Sequence, residues 1–221
     1  MPLLLGLGLV LPLAARAQQA PDPTRWESEI RAFEDQDLTN PPIHGGIIFT
    51  GSSSIRLWDT LARDFPGLPV ANRGFGGSML PEVTAVLARI VIPHKPALVV
   101  LYCGTNDIDA GRSADQVAAD FERFVKTLHE ALPITRIAFI SIAPNPARWS
   151  ELATQRAANR KIAEYIKTDA RLAYIDVATA MLGPDGLPRP DIYRDDQLHM
   201  NAKGYALWVP IVRPYLMLRR Q

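Results

Sequence analysis

A histidine late in the chain has two acidic residues just before it: Asp195 and Asp196 precede His199 in the run Asp-Asp-Gln-Leu-His. A carboxylate three residues before a histidine can accept the hydrogen on imidazole Nδ1 and leave Nε2 free as a base. Such a base activates a serine hydroxyl, which is a poor nucleophile until its proton is removed. A lone histidine is more often structural, so a catalytic role requires a serine and oxyanion donors nearby.

Three other segments carry groups that acyl transfer needs. Gly51-Ser52-Ser53-Ser54 can expose a hydroxyl at a helix N-terminus, where developing negative charge is favoured, although serine also caps helices. Residues 72–78 contain three glycines, which either bring backbone N–H groups close to a ligand or form an ordinary loop. Residues 104–107 include Asn106, whose side chain can donate to an oxyanion or form an Asx turn. Each signal is weak alone.

Short apolar runs and amphipathic stretches alternate around these segments. The runs predict strands at 47–49, 69–71, 97–102, 136–141 and 172–175. The stretches predict helices at 24–38, 81–92, 113–132, 151–168 and from 201 onward. The alternation predicts a three-layer α/β/α sandwich, a flavodoxin-like doubly wound sheet of about five parallel strands. Pro210 and Pro214 are expected to kink or end the last helix. Ligands bind at the carboxyl ends of such strands, where all four segments fall.

Composition fits a single domain, predicted to span residues 18–221, and excludes several classes of protein. Hydrophobic residues make up 48% of the 221 residues and charged residues 21%, which is an ordinary globular mixture. A net charge of +1 argues against a nucleic-acid partner. The single cysteine, Cys103, excludes an internal disulfide and any multi-cysteine metal site.

The first residues predict export. Residues 3–13 form an apolar run without a preceding Lys or Arg, and Ala15-Arg16-Ala17 follows as an A-x-A cleavage pattern. The run is too short to cross a bilayer, which takes roughly twenty residues, and no later segment is long and apolar enough to cross one. We therefore expect a signal peptide at 1–17, a mature chain starting near Gln18, and a periplasmic or secreted protein.

In this order and at these strand ends, the four segments together resemble the blocks of the SGNH hydrolase superfamily, also called GDSL esterases. The resemblance covers essentially the whole chain after residue 17. It implies that Ser53 is the nucleophile and that Asp196 and His199 complete a catalytic triad. It also implies an oxyanion hole made of the Ser53 N–H, the Gly77 N–H and the Asn106 side chain. The triad histidine would act as base and the carboxylate would fix its tautomer.

The first block departs from the family's usual Gly-Asp-Ser-Leu, because Ser52 and Ser54 replace Asp and Leu. The spacing from Gly51 to Ser53 is retained. The departure therefore leaves open which serine attacks but hardly affects the expected chemistry. A rival nucleophile is Cys103, at the end of the third predicted strand, acting with His199.

The resemblance implies a serine esterase that acts on a small-molecule carboxylic ester and needs neither a metal nor an organic cofactor. A short acyl group is expected, since the sequence shows no lid domain or large apolar insertion. Acetyl esters of sugars, small aryl esters, lysophospholipids and thioesters all remain open as substrates. An alternative from a different functional class is a non-catalytic module that retains the fold and binds a carbohydrate or other ligand.

Overall fold

Five short strands form one parallel sheet in the computed structural model, which describes residues 19–217. The predicted signal peptide at 1–17 lies outside the described residues. The strands are β1 (Ile47–Gly51), β2 (Val70–Gly74), β3 (Leu98–Tyr102), β4 (Arg136–Ile140) and β5 (Leu172–Ile175). Their order across the sheet is β2-β1-β3-β4-β5, with Ile47 paired to Val70 on one side and to Leu98 on the other.

Helices connect the strands, and short 3-10 turns join several of them. The α-helices are α1 (Glu27–Asp37), α2 (Ser53–Arg56), α3 (Leu61–Asp64), α4 (Leu80–Ala85), α5 (Leu87–Ile90), α6 (Thr105–Asp109), α7 (Ala114–Ala131), α8 (Leu152–Ile166) and α9 (Ala202–Leu216). The 3-10 helices are Pro23–Trp26, Ile92–His94, Pro146–Glu151, Thr179–Met181 and Pro190–Ile192.

Both faces of the sheet are covered, because successive strand residues are apolar on both sides. In β1, Ile48 packs into the core with α1, α4, α5, α7 and α8, whereas Ile47 and Phe49 pack into the core with α2, α3 and α9. Strands buried on both faces are typical of parallel sheets. The predicted α/β/α sandwich with a doubly wound, five-stranded parallel sheet is confirmed.

One predicted helix and one predicted strand differ clearly from the observed elements. The stretch predicted as one helix at 81–92 is divided at Val86, whose φ of −101° and ψ of 1° interrupt the helix between α4 and α5. The strand predicted at 69–71 extends through Gly74, so the first residues of the glycine segment belong to β2.

The last helix does not end at its prolines. α9 runs through both Pro210 and Pro214 to Leu216. The two prolines are exposed, while Trp208 and Val212 on the inner side of the helix are buried. Burial of that inner face holds the helix together where a proline removes a hydrogen bond.

Candidate active site

A crevice is expected between the carboxyl ends of β1 and β3, since this is where the chain direction across the sheet reverses. From β1 the chain goes to the edge strand β2, and from β3 it goes the other way to β4. Ligands of doubly wound sheets bind at such a switch point. Ser53 begins α2 two residues after β1, and Asn106 lies in α6 four residues after β3, so both predicted site residues lie at this crevice.

A glycine lets the chain turn sharply from β1 into the serine cluster. Gly51 has a φ of +124°, and a Cβ atom there would lie 1.9 Å from the carbonyl oxygen of Tyr102. Only glycine accepts this backbone conformation this close to β3. The Ser52 N–H donates to that same Tyr102 oxygen at 3.0 Å, and Ser53 then begins α2.

The three predicted triad residues lie within hydrogen-bond distance of one another. His199 Nε2 is 2.9 Å from Ser53 Oγ. On the other side of the ring, His199 Nδ1 is 2.7 Å from Asp196 Oδ2. The serine and the histidine are 146 positions apart in the chain, so only the fold brings them together. This is the nucleophile, base and orienting carboxylate arrangement of serine hydrolases.

The acidic residue is held by its own loop. Asp196 Oδ1 accepts the backbone N–H groups of Leu198 and His199, each at 2.9 Å. Gln197, which directly follows Asp196, adopts a φ of +55°, and this folds the loop back onto the carboxylate. Burial works to raise the pKa of Asp196, but the hydrogen bonds from His199 and Leu198 outweigh it and lower the pKa to about 2. Asp196 is therefore ionised wherever the histidine can act as a base.

The competing residues in each block are placed differently. Asp195 is exposed, and its side chain makes no hydrogen bond or ion pair within residues 19–217. Ser52 and Ser54 line the same small cavity as Ser53, yet the hydroxyl bonded to His199 is that of Ser53. The Ser54 carbonyl accepts the Tyr205 hydroxyl at 3.0 Å, which ties α2 to α9.

Two of the predicted oxyanion donors lie in neighbouring segments, Gly77 in the loop after β2 and Asn106 in the short helix α6 after β3, and these two segments are called the oxyanion loops. Asn106 lines the cavity that Ser53 and His199 share, and its Nδ2 donates to the Ser78 carbonyl at 3.0 Å. Gly77, with a φ of +76°, lies in the loop after β2, where a Cβ atom would be 3.2 Å from the Trp26 ring. Gly77 is not among the residues that line the cavity, so its role as a donor stays a prediction.

Two buried acidic residues, Glu82 and Asp107, hold the oxyanion loops through hydrogen bonds to neighbouring segments. Glu82 is fully buried and accepts the Met79 N–H at 2.8 Å, the Asp22 N–H at 2.9 Å and the Trp26 indole N–H at 3.1 Å. It thus joins the 3-10 helix at Pro23–Trp26 to the glycine loop. Asp107, also fully buried, accepts the Leu80 N–H at 3.0 Å and joins α6 to α4.

Sequence reasoning did not identify two residues in the segment after β4. Asn145 and Arg148 both line the cavity with Ser53, and the Arg148 guanidinium donates to Asn106 Oδ1 at 3.0 Å. The signal that could have found them is position, since this segment also follows the carboxyl end of a strand. Glu82 and Trp26 carried no comparable signal, because their contacts join segments that are distant in sequence.

The space around Ser53 is small. The cavity lined by Ser53, Asn106 and His199 has a volume of about 20 Å³, and an adjoining cavity of about 10 Å³ is lined by buried Tyr102 and Trp208. A much larger groove of about 680 Å³ runs along β2 and α1, but neither Ser53 nor His199 lines it. The candidate site is therefore chosen by geometry and not by cavity size, because the hydrogen-bonded Ser53 and His199 both line the small cavity.

The rival thiol is poorly placed to attack. Cys103 is fully buried, and its Sγ lies 3.3 Å from the Ser78 carbonyl oxygen. Burial, and then the nearby Asp107 carboxylate, raises the pKa of the Cys103 thiol well above its usual value. A thiolate is the reactive form of cysteine, so the site does not activate this residue.

Among residues 19–217, no three His, Cys, Asp or Glu side chains are grouped so that they could hold a metal ion. No helix in that part of the chain has the length and apolar character needed to cross a membrane.

Comparison with known proteins identifies a family and several relatives. Residues 46–207 match the model of the GDSL-like Lipase/Acylhydrolase family. The chain is 24% identical over 205 residues to platelet-activating factor acetylhydrolase IB subunit alpha2 of Gallus gallus, covering 89% of this chain and 84% of that protein.

Two solved structures share the fold. A GDSL-like lipase from Bacteroides thetaiotaomicron superposes with a TM-score of 0.69 at 21% identity, over 88% of this chain and 97% of that one. A carbohydrate esterase family 3 protein from Talaromyces cellulolyticus superposes with a TM-score of 0.60 at 22% identity, over 77% and 95% of the two chains.

Proposed function

The chain belongs to the GDSL-like lipase and acylhydrolase family, and from that premise we propose that it is a serine esterase acting on short-chain acyl esters through an acyl-serine intermediate. The observation that carries the proposal is the continuous set of contacts from Ser53 Oγ to His199 Nε2 at 2.9 Å and from His199 Nδ1 to Asp196 Oδ2 at 2.7 Å. The family is one of acylhydrolases and esterases, and the serine mechanism is what this geometry adds.

In the proposed mechanism, Ser53 Oγ attacks the ester carbonyl carbon while His199 Nε2 takes the hydroxyl proton. The bond to the alcohol oxygen then breaks as His199 returns that proton to the leaving group. Water attacks the acyl-serine with His199 again as base, which releases the acid and restores the enzyme. Asp196 holds the imidazole in the tautomer with Nε2 free and stabilises the imidazolium.

The tetrahedral intermediate carries a negative oxygen that must meet donors already in place. We assign this role to the Ser53 N–H, the Gly77 N–H and the Asn106 side chain. Asn106 supports the assignment because it shares the cavity with Ser53 and His199. Loss of one such donor typically costs about 10²- to 10³-fold in kcat.

The small space beside Ser53 supports a short acyl group. One water-sized group needs about 10–15 Å³ of cavity volume, so the cavities of about 20 and 10 Å³ suit a methyl group or little more. The buried side chains of Tyr102, Met200 and Trp208 line the second cavity and limit the room for an acyl chain on that side of Ser53. The Gallus gallus relative is an acetylhydrolase by name, which favours an acetyl ester.

A panel of esters tests this proposal. Purified protein is assayed with p-nitrophenyl acetate, butyrate, octanoate and palmitate, an acetylated xylooligosaccharide and an acetyl thioester, with and without a strong chelator. We expect the highest kcat/KM with acetyl esters, a steep fall beyond four carbons and no effect of the chelator. A preference for octanoate or palmitate would refute the short-chain proposal, and activity that requires a restored divalent ion would refute the serine mechanism.

We also propose that the protein is exported and that residues 1–17 are removed. The support is the apolar run followed by Ala15-Arg16-Ala17. Cell fractionation and N-terminal sequencing test it, with the expected mature chain beginning at Gln18 outside the cytoplasm. Recovery of a cytoplasmic chain that retains Met1 would refute it.

A further inference from the structure

We propose that Arg148 is a positioning residue that orients Asn106 and strengthens its side chain as an oxyanion donor; this rests on the proposed serine esterase function. Arg148 lies in the 3-10 helix Pro146–Glu151 that follows β4. Its side chain is 16% exposed and reaches across to α6, the helix that carries Asn106.

Arg148 is itself held at three points. Its backbone N–H donates to Asn145 Oδ1 at 2.9 Å. Its guanidinium donates through Nη1 to Asn106 Oδ1 at 3.0 Å and through Nη2 to Asp109 Oδ2 at 3.1 Å. Both acceptors lie on α6, so two contacts fix the planar guanidinium relative to Asn106. A single hydrogen bond would leave it free to rotate.

These contacts permit one orientation of the Asn106 amide. A guanidinium only donates hydrogen bonds, so the amide oxygen must face Arg148. The Ser78 carbonyl only accepts them, so the amide nitrogen must face Ser78, which it does at 3.0 Å. In the flipped orientation, the amide NH2 group would face the Arg148 guanidinium and the amide oxygen would face the Ser78 carbonyl oxygen. The amide nitrogen has two N–H donors, and one of them remains for an oxyanion.

The positive charge also acts on the reaction. A cation bonded to the amide oxygen polarises the amide and strengthens its N–H groups as donors. The substrate carbonyl is neutral, whereas the tetrahedral intermediate carries a full negative charge at its oxygen. A stronger donor therefore favours the transition state over the bound ester. Loss of Arg148 should lower kcat and leave KM nearly unchanged.

A double-mutant cycle tests the proposal on p-nitrophenyl acetate, with Arg148→Met, Asn106→Ala and the double variant, after melting temperatures show that each folds. We expect Arg148→Met to lower kcat by about 10- to 100-fold, less than the loss of the donor itself, with KM changed less than about threefold. In the Asn106→Ala background, the same substitution should change kcat less than about threefold, because its target is gone.

Two further variants sharpen the cycle. Arg148→Lys retains a positive donor and should recover part of the lost kcat, and it replaces the Met variant in the cycle if that variant does not fold. Arg156→Met is the matched control, because Arg156 is exposed on the next helix and makes no hydrogen bond or ion pair within residues 19–217. It should leave kcat unchanged.

Each outcome decides a different point. An equal loss of kcat in both backgrounds, an unchanged kcat in Arg148→Met, or a loss confined to KM overturns the positioning role while the esterase proposal stands. A wild-type protein that neither hydrolyses the ester nor reacts with a phosphonate at Ser53 overturns the esterase proposal and this inference with it.

Discussion

The two sides of the site are held in place differently. On the acid–base side, the Asp196 side chain is 48% exposed and the His199 side chain 24% exposed, and the carboxylate is held by N–H groups two and three residues later. On the oxyanion side, Glu82 is fully buried and Arg148 is 16% exposed. Their contacts reach partners 60 and 42 positions away in the chain.

This difference follows from what each side must do. In the proposed mechanism the His199 imidazole gains and loses a proton and must stay in contact with solvent and substrate, so a local loop suffices to orient it. The oxyanion donors must already be in position when charge develops, which requires rigid support. We therefore expect substitutions on the acid–base side to change activity at constant stability, and those behind the oxyanion loops to change stability as well.

The largest effect is expected where the two sides meet, at Ser53. Ser53→Ala should lower kcat by about 10⁴- to 10⁶-fold, as loss of the nucleophile does in other triads, and should abolish labelling by a fluorophosphonate. Ser52→Ala and Ser54→Ala serve as controls and should still be labelled. Mass spectrometry of the labelled peptide checks the assignment, and a label on Ser52, Ser54 or Cys103 would contradict it.

The next effect isolates the acid–base side. Asp196→Asn keeps an oxygen that can accept the Leu198 and His199 N–H groups, but places an amide where Oδ2 accepts from the ring. The loop should therefore keep its fold while the wrong imidazole tautomer becomes accessible, at a loss of up to about 10⁴-fold in kcat.

Asp195→Asn is the matched control for that variant, because Asp195 is the adjacent acidic residue and its exposed side chain makes no hydrogen bond or ion pair within residues 19–217. We expect its kcat to stay within about threefold of wild type, as is usual for exposed substitutions. The two kcat values are compared on one ester after the melting temperatures are shown to agree. A larger loss in Asp195→Asn would mean that the triad is assigned one residue out of register.

A smaller effect on activity, with a measurable loss of stability, is expected behind the oxyanion loops. The Glu82 carboxylate accepts hydrogen bonds from Met79, Asp22 and Trp26. In Glu82→Gln, the side-chain NH2 group would face at least one of these N–H donors, and that hydrogen bond would be lost. The free energy of unfolding should fall by about 1–3 kcal/mol, and kcat should fall because the glycine loop loses a fixed point. Denaturant titration and the ester assay measure both effects.

Glu130→Gln is the control, since the Glu130 side chain is 66% exposed and its ion pair within residues 19–217 is a weak one with Lys126, at 4.0 Å. Its free energy of unfolding should change by less than about 0.5 kcal/mol. If Glu82→Gln behaves like this control, the buried carboxylate does not brace the loop.

The sequence predicted the side of the site whose geometry is local. A carboxylate three residues before a histidine defines a short loop, and all five strands were predicted because each contains a short apolar run. The brace behind Gly77 was not predicted, since it depends on Glu82 meeting Trp26 across 56 positions. Spacing along the chain carries no signal for such a contact; only packing of the helices on the sheet creates it.

The helix errors have the same origin. Pro210 has the local signature of a helix end, but burial of Trp208 and Val212 keeps α9 intact through it. Tertiary packing thus overrides the local signal both at this helix and behind the oxyanion loops.

The smallest effect concerns the second buried carboxylate on the oxyanion side, Asp107. Burial, above all, raises its pKa to about 7 from an ordinary value of 3.8. A group whose pKa is raised on folding contributes its full stability below the unfolded value and loses it as the pH rises through the folded value. Stability should therefore fall between pH 4 and pH 7 as the unfolded state, but not the folded state, releases this proton.

Asp107→Asn removes that ionisation and keeps an oxygen that can accept the Leu80 N–H. We expect the melting temperature of wild type to fall by several degrees more than that of Asp107→Asn between pH 5 and pH 7.5, because over most of that range the unfolded state has released the Asp107 proton while the folded state still holds it. Asp115→Asn is the control, since Asp115 lies on α7 with its side chain 80% exposed and paired with Lys161. It should follow the wild-type slope. Equal slopes in all three proteins would show that Asp107 does not set the pH dependence, and would leave Glu82 as the principal buried acid supporting the oxyanion side.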